Sequence, residues 1–188
     1  MSLSYRVSLQ VQEVVSADDK TVHKLDLHDV LPEEEMKDLL RESLEQRGFE
    51  QGEEEHTMVR QGDGGETITV NLDTMEVTTE LEAESEVRGK VDAWGDAETR
   101  AGARRQAESS ARSQADQMVE RGQKEVQRRV TQQLAEGEAD RLEQMNEVLQ
   151  DVYSEALKRK ARRMGDVVEQ AEGTNENGEY ELVIKVEV

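Results

Sequence analysis

Hydrophobic and polar residues alternate near both ends of the chain and follow a helical period in its centre. From Ser4 to Val15, Tyr5, Val7, Leu9 and Val11 alternate with polar residues. From Tyr180 to Val188, every second residue is apolar, at Tyr180, Leu182, Ile184, Val186 and Val188. Alternation with a period of two predicts strands that bury one face. From Asp96 to Ala171, small or apolar residues instead recur at steps of three and four, without a proline. That spacing predicts helix.

The central helical segment has one clear interruption, at Gly137. Small residues dominate the apolar face before it, at Ala97, Ala101, Ala107, Ala111, Ala115, Met118, Gly122, Val126, Val130 and Leu134. Larger residues dominate after it, at Leu142, Met145, Leu149, Val152, Ala156, Met164, Val167 and Ala171. We expect two helices folded back as an antiparallel hairpin, with the small face packed against the large one. One continuous helix is the alternative, since a single glycine costs only about 1 kcal/mol within a helix.

The first half of the chain predicts a small sheet with one packed helix. Two strands, Ser4–Val15 and Thr21–Leu27, are expected on either side of a turn at Ser16–Lys20. A helix beginning near Pro32 should end at Gly48. Its buried stripe is Met36, Leu39, Leu40 and Leu44. Further strands are expected over Glu54–Arg60, Thr67–Leu72 and Met75–Glu84, followed by a junction over Val87–Gly95.

Together these elements predict an α+β fold. It consists of a small antiparallel or mixed sheet with one packed helix, and a long antiparallel helical hairpin, a coiled-coil-like arm, inserted before the C-terminal strand. The last strand is too apolar to stand alone, so we expect it to pair with the N-terminal sheet after a polar linker, Gly173–Gly178. The predicted domains are a sheet domain, residues 1–95 plus 174–188, and an inserted arm, residues 96–173.

Charge separates the two predicted domains. The chain has a net charge of −20, and residues 1–96 carry 9 basic and 25 acidic side chains, whereas residues 97–165 carry 14 and 12. Overall acidity disfavours nucleic acid as a partner. Solubility or salt adaptation explains the acidity equally well.

The composition indicates no catalytic chemistry. Cysteine is absent, which excludes disulfides, thiolate catalysis and thiolate metal sites. Three histidines, His23, His28 and His56, lack metal-site spacing, and the Gly62–Gly65 turn lacks the lysine and helix of a phosphate loop. We therefore expect no cofactor and no enzymatic activity. No apolar run approaches a membrane span, so a cytoplasmic protein is expected.

Two groups of residues in the second helix are candidate interaction sites. Met145, Leu149, Tyr153 and Leu157 cover a wider arc than one alanine-rich helix can hide, which predicts a partner-binding face and a homo-oligomer, most simply a two-fold dimer. A candidate basic patch follows at Lys158, Arg159, Lys160, Arg162 and Arg163. It either binds an acidic partner or nucleic acid, or complements the helix dipole and nearby acids such as Glu108 and Asp116.

The segment Leu31–Leu40, followed by Gly48 and Phe49, resembles the small α+β accessory domains of bacterial ternary systems. Those domains are encoded beside an FtsH-like AAA protease, a von Willebrand A protein and a MoxR-type ATPase. The resemblance covers residues 1–95 and rests on the layout of elements, so no functional residue is carried over. It implies an adaptor in an ATPase-driven system.

The functional prediction is a non-enzymatic adaptor or assembly protein that binds protein partners through its helical arm. The resemblance makes an AAA ATPase or protease the implied partner. The alternative is a nucleic-acid-associated protein that uses the basic run together with Arg104, Arg105, Arg128 and Arg129.

Overall fold

A computed structural model describes residues 2–174 and 180–187. The strands are β1 (Leu3–Lys24), β2 (Glu50–Gln51), β3 (Thr57–Gln61), β4 (Thr67–Asn71), β5 (Glu76–Ala97), β6 (Asp166–Thr174) and β7 (Tyr180–Glu187). The helices are α1 (Glu33–Gln46), α2 (Arg100–Glu136) and α3 (Glu138–Met164). Strands β1 to β5 form one antiparallel sheet in the order β1-β5-β4-β3-β2, and β6 pairs with β7 alone. The predicted α+β class is confirmed, as is the long helical segment before the C-terminus.

The chain forms two compact units. Unit 1 consists of Met1–Lys20 and Glu80–Glu136, and unit 2 of Thr21–Thr79 and Gly137–Val188. Strands β1 and β5 have 22 residues each and contribute to both units. The division falls at Gly137, the only residue between α2 and α3. The predicted sheet domain and inserted arm stay a prediction.

In unit 1, helix α2 lies along the ribbon formed by β1 and β5. Its buried face follows the predicted small-residue stripe from Ala107 onward, but Ala103 is buried in place of the predicted Ala101, which is exposed. The buried residues are Ala103, Ala107, Ala111, Ala115, Val126, Val130 and Leu134. The residues that complete its hydrophobic clusters come from the two strands and include Val15, Ala17, Leu81, Val91 and Ala93. The spacing of these residues predicts the second helix as their neighbour, and the structure places the two strands there instead. Small side chains can pack against a helix or against a strand, because they allow two backbones to approach closely.

Gly95 marks the closest approach between β5 and α2. A Cβ atom at this position would lie 2.1 Å from the carbonyl oxygen of Ala103 and 2.6 Å from the amide nitrogen of Ala107. Both are backbone atoms of the helix, which cannot move aside as a side chain can. The absence of a side chain at Gly95 therefore fixes how tightly the first turns of α2 pack on the strand.

The predicted turn at Ser16–Lys20 is wrong, because β1 continues through it to Lys24. Ala17 is buried under α2, and side chains of α2 bind the outer edge of the strand here. Gln123 donates to the carbonyl of Ser16 at 2.5 Å, and Gln127 donates to that of Asp18 at 3.2 Å. These tertiary contacts outweigh the local preference of a polar Ser-Ala-Asp-Asp-Lys stretch for a turn.

The predicted junction at Val87–Gly95 is also strand, since β5 extends to Ala97. Val91 and Ala93 face α2 and are buried. Trp94 points to the opposite side and remains 60% exposed, with the Arg6 guanidinium 5.5 Å from its ring centroid. Trp94 therefore lies outside the core.

Unit 2 packs α1 and α3 over the short strands. Pro32 precedes α1, and its carbonyl accepts the amides of Glu35 and Met36. Gly48 follows the helix with a φ of 81°, a left-handed conformation that glycine adopts without strain. The predicted stripe of α1 is confirmed, and it shares one core with Phe49 of the following loop and with Met145, Val148, Val152 and Ala156 of α3.

Three ion pairs join α1 and its C-cap residue, Arg47, to α3, and their order along the two helices shows that the helices run antiparallel. Arg47 pairs with Asp151 at 2.6 Å, Arg159 with Glu42 at 3.0 Å, and Arg163 with Glu35 at 2.5 Å. The residue numbers rise along one helix as they fall along the other.

The C-terminal region differs from the prediction. Helix α3 ends at Met164, and Val167 and Ala171, which we had placed in the helix, belong to β6. Gly165 caps the helix where a Cβ atom would lie 2.1 Å from the carbonyl oxygen of Glu187 in β7. Strand β7 pairs with β6, so the prediction that it joins the N-terminal sheet is wrong. The Asn177-Gly178 pair of the predicted linker lies outside the described residues.

Candidate partner-binding surfaces

The four residues predicted to bind a partner lie on α3, and three of them pack within unit 2. Met145 is buried in the core, and Leu149 and Tyr153 are partly buried against it. Only Leu157 is exposed, at 42%. The dimer prediction relied on exposure of Leu149, Tyr153 and Leu157, so Leu157 alone now supports it. Partner binding by this set stays a prediction.

Tyr153 has a structural role. Its hydroxyl donates to the carbonyl of Asp26 at 2.8 Å and accepts from the amide of His28 at 2.7 Å. A phenol in the middle of α3 thereby holds the irregular segment between β1 and α1. An amphipathic tyrosine that is half-buried commonly finds such a partner for its polar end.

The basic run at the end of α3 is largely engaged in ion pairs. Arg159 pairs with Glu42, and also with Glu155 at 3.2 Å; Arg163 pairs with Glu35. Lys158 pairs with Glu172 of β6 at 2.7 Å. The acidic neighbours that we expected, Glu108 and Asp116, belong to α2 in unit 1. The remaining members, Lys160 and Arg162, are exposed.

The pair of Lys158 and Glu172 extends into a small polar network near the end of the β6–β7 pair where Thr174 and Tyr180 face each other. The Tyr180 hydroxyl donates to the Glu172 carboxylate and lies 3.0 Å from the hydroxyl of Ser154 on α3. The Lys158 ammonium, followed by the Tyr180 hydroxyl, lowers the pKa of Glu172 to about 2. The network therefore ties the β6–β7 pair to α3.

Unit 1 contains a groove that the sequence analysis did not anticipate. It has a volume of about 840 Å³ and runs between β5, from Ser85 to Val91, and α2, from Gln114 to Gln132. Its apolar lining is Val87, Val91, Met118, Gly122 and Val126. A Cβ atom at Gly122 would lie 2.3 Å from a methyl group of Val87, so the glycine brings helix and strand together at this point.

The rim of the groove is basic. Five cationic side chains line it: Arg88, Lys90, Arg121, Arg128 and Arg129. Two carboxylates, Glu86 and Glu125, lie among them. Arg88 forms an ion pair with Glu86 at 2.6 Å, and this contact, followed by a hydrogen bond from Gln12, holds the pKa of Glu86 below its usual value. Arg121 and Arg128 are exposed and form no ion pair with the described residues.

One edge of β5 is open along this groove. The neighbours of β5 in the sheet are β1 on one side and β4 on the other, and β4 has only five residues. The Arg129 side chain donates to the carbonyl of Glu84 at 3.4 Å, so Glu84 directs its backbone groups toward α2. Backbone groups of a strand change sides at every residue. Those of Glu86, Arg88 and Lys90 therefore face the groove as well.

The groove could be found only in part from the sequence. Arg128 and Arg129 were among the candidate cations of the nucleic-acid alternative, together with Arg104 and Arg105. Arg88 and Lys90 were hidden within the supposed junction, because the extension of β5 was missed. Arg88 and Lys90 alternate with Val87, Gly89 and Val91, and this pattern is typical of a strand. The pattern was hard to recognise because the middle position of the apolar series is a glycine.

The candidate metal ligands remain separate within the described residues. No group of three or more histidines or carboxylates there is placed to hold a metal ion. His23 contacts the carboxylate of Glu138 at 2.9 Å, and His56 lies in a loop with a φ of 62°. The Gly62–Gly65 turn closes the β3–β4 hairpin through a hydrogen bond from Gly62 to the carbonyl of Glu66. None of the three helices within the described residues has the length and apolarity to cross a membrane.

The class defined by this fold is an α+β protein whose long helix lies on a two-stranded ribbon. Within that class the chain belongs to the family FtsH ternary system domain X5, whose model matches residues 1–188. It is thus an accessory domain of FtsH ternary systems, and the resemblance seen over residues 1–95 is confirmed for the whole chain. Neither the curated proteins nor the solved structures gave a match.

Proposed function

We propose that this chain is a non-enzymatic adaptor of an FtsH ternary system, which binds a protein component of that system through its helical segment. Membership of the X5 family carries the proposal, because the family model spans the whole chain and places it in systems named after an AAA protease.

Two features of the structure support a binding role for α2. The helix has 37 residues, and only one face is buried against the ribbon. Its other faces are exposed and carry charged side chains of both signs. The groove beside β5 adds a concave surface, which is the usual form of a site for a ligand or a peptide.

Nucleic acid is the weaker candidate. Of the basic run on α3, three members already pair with Glu35, Glu42 and Glu172, and those pairs would have to break before a phosphate could bind. A chain of net charge −20 also repels a polyanion over distance. We therefore favour a protein partner.

The test uses the full chain, since deletion of the helical segment would remove buried residues of both units. The tagged chain is mixed with the purified FtsH-like protease of the same system, and binding is measured by biolayer interferometry. Saturable binding to the protease, or to the MoxR-type ATPase or von Willebrand A protein tested in parallel, supports an adaptor. Failure to bind any of the three would contradict it. Retention on oligonucleotide at about 50 mM salt that weakens steeply with added salt would favour the alternative.

A further inference from the structure

The open edge of β5 and the basic rim beside it suggest a more specific mode of binding. We propose that the groove between β5 and α2 binds an extended acidic segment of a partner protein, which adds to the free edge of β5 as a further strand. This inference rests on the proposed function and deepens it by naming the surface and the chemistry of the partner.

The first observation is the asymmetry between the two edges of the β1–β5 ribbon. On the β1 side, α2 seals the edge: Gln123 and Gln127 bind the carbonyls of Ser16 and Asp18, and Thr131 binds the carboxylate of Asp19. On the β5 side, α2 binds the edge at two points within the described residues: Arg129 donates to the carbonyl of Glu84 at 3.4 Å, and the Gln106 side chain accepts from the amide of Asp96 at 3.0 Å. Between these two points, from Ser85 to Gly95, the strand edge is available for pairing.

Unpaired edges are a hazard that proteins normally cover or blunt. At an exposed edge, a peptide in extended conformation gains main-chain hydrogen bonds, and pockets beside the edge select its side chains. The stretch from Ser85 to Val91 spans about 20 Å at 3.4 Å per residue, enough for a peptide of about seven residues. Val87, Val91 and Val126 offer an apolar surface for every second side chain of such a peptide.

The second observation is charge. Five cations against two carboxylates give the groove a positive character in a chain whose net charge is −20. Arg121 and Arg128 have no acidic partner in the described part of the chain, so they are free to pair with carboxylates of a ligand. Complementary charge raises both specificity and the rate of association. An acidic peptide satisfies this requirement together with the strand edge, whereas a nucleic acid has no backbone groups that match the edge.

The experiment measures fluorescence anisotropy of a labelled peptide of alternating glutamate and valine, about seven residues long to match the groove. The comparison probes are the same peptide with lysine for glutamate, the glutamate peptide with alternate backbone amides methylated, and an oligothymidine. The variant Arg121→Glu/Arg128→Glu tests the rim, and Arg105→Glu/Arg112→Glu is the matched control with the same change in charge on exposed positions of α2 outside the groove.

We expect the glutamate peptide to bind, the lysine peptide not to bind, and the rim variant to weaken binding about tenfold or more, against about twofold for the control. Methylation of the peptide amides should weaken binding, because it removes the donors of the strand pairing without changing charge. Absence of saturable binding by the glutamate peptide would overturn the proposal. So would tighter binding of oligothymidine than of the peptide.

A second pair of variants separates strand addition from attraction by charge alone. Glu86→Pro and Glu86→Gln remove the same negative charge, but only the proline removes the backbone N–H that faces the groove. Strand addition predicts that Glu86→Pro binds about fivefold more weakly than Glu86→Gln, the effect of one lost hydrogen bond. Equal affinity of the two variants, with equal binding of the methylated peptide, would refute strand addition.

These outcomes are independent of the proposed function. Suppose the peptide fails while the chain still binds the FtsH-like protease, the ATPase or the von Willebrand A protein. The groove is then not the site, and the adaptor stands. Failure of all three proteins with success of the peptide would instead leave a peptide-binding groove without an adaptor role in this system.

Discussion

The close approach at Gly95 gives the sharpest test of how unit 1 is packed. In Gly95→Ala the new methyl group would lie 2.1 Å from the Ala103 carbonyl oxygen, well inside van der Waals contact. The φ of Gly95 is not positive, so alanine suits the backbone and only space decides the outcome. Either β5 or the first turns of α2 must move, and this shift disturbs the buried contacts of Ala93 and Ala107.

The size of the effect follows from two opposing terms. Overpacking against rigid atoms costs about 1–3 kcal/mol, and a backbone clash belongs at the upper end. Replacing glycine also lowers the entropy of the unfolded chain, which stabilises the fold by about 0.4–1 kcal/mol. We therefore expect Gly95→Ala to reduce the free energy of unfolding by about 2 kcal/mol.

Two other glycines of β5 and β6 provide matched controls. At Gly89 the methyl group would meet the sulfur of Met118 at 2.4 Å, but a thioether at the end of a flexible side chain can move aside. We expect a change within about 1 kcal/mol there. At Gly173 nothing lies within 4 Å, so Gly173→Ala should be neutral or slightly stabilising.

Urea unfolding provides the measurement, with the change in midpoint multiplied by the mean slope. Trp94 is the sole tryptophan and lies next to Gly95 on β5, so its fluorescence reports on unit 1, while circular dichroism reports on all helices. If Gly95→Ala unfolds at the same urea concentration as Gly89→Ala and Gly173→Ala, α2 does not pack on β5 as described.

Three further predictions concern unit 2. Leu40→Ala should lower the free energy of unfolding by about 2–5 kcal/mol in urea titrations, because Leu40 is fully buried between α1 and α3. Tyr153→Phe should cost about 1 kcal/mol by the same assay, since its hydroxyl bridges Asp26 and His28; no loss would show that water replaces it. Glu172 has a pKa lowered from 4.5 to about 2, so its contribution to stability is present above pH 4.5 and is lost as the pH falls toward 2. Glu172→Gln should therefore lower the melting temperature at neutral pH and leave it unchanged near pH 2; an equal shift at both pH values would contradict the ion pair.

The residues of α1 show what the sequence could predict. Pro32, the buried stripe from Met36 to Leu44 and the stop at Gly48 are local signals, and each acts through the backbone or through one helical face. Such features do not depend on the rest of the molecule. The same applies to the break at Gly137, which coincides with the end of α2.

The long strands show where the sequence was insufficient. Ser16–Lys20 has the composition of a turn, yet it is strand because α2 binds its carbonyls from a position more than 100 residues later. Propensity for strand is weak and depends on what packs against it. No window centred on residues 16–20 contains that information. Two acidic partners of the basic run on α3 were missed for a similar reason, since Glu35 and Glu42 of α1 are distant from it in sequence.

The buried face of α2 shows most clearly what a sequence pattern leaves out. The helical period was predicted correctly, but the element that packs against this face was not. A stripe of alanine and glycine indicates only that another backbone comes close. The strands carried the missing half of the signal. On β5, Val87, Gly89, Val91, Ala93 and Gly95 share one face, and all are smaller than leucine. The strand face has a period of two and the face of α2 has a helical period, and both are lined by small side chains. Such faces pack closely, and the closest point is Gly95 against Ala103 and Ala107. A file of charged residues on the other face of the same strand leaves that side to solvent. The small apolar face of the ribbon must therefore be buried by another element, and α2 is the element with a matching surface. The position of α2 also explains the groove. Its side chains bind the carbonyls of Ser16 and Asp18 on β1, whereas on β5 they bind Glu84 and Asp96 and leave the edge between those two residues open within the described part of the chain.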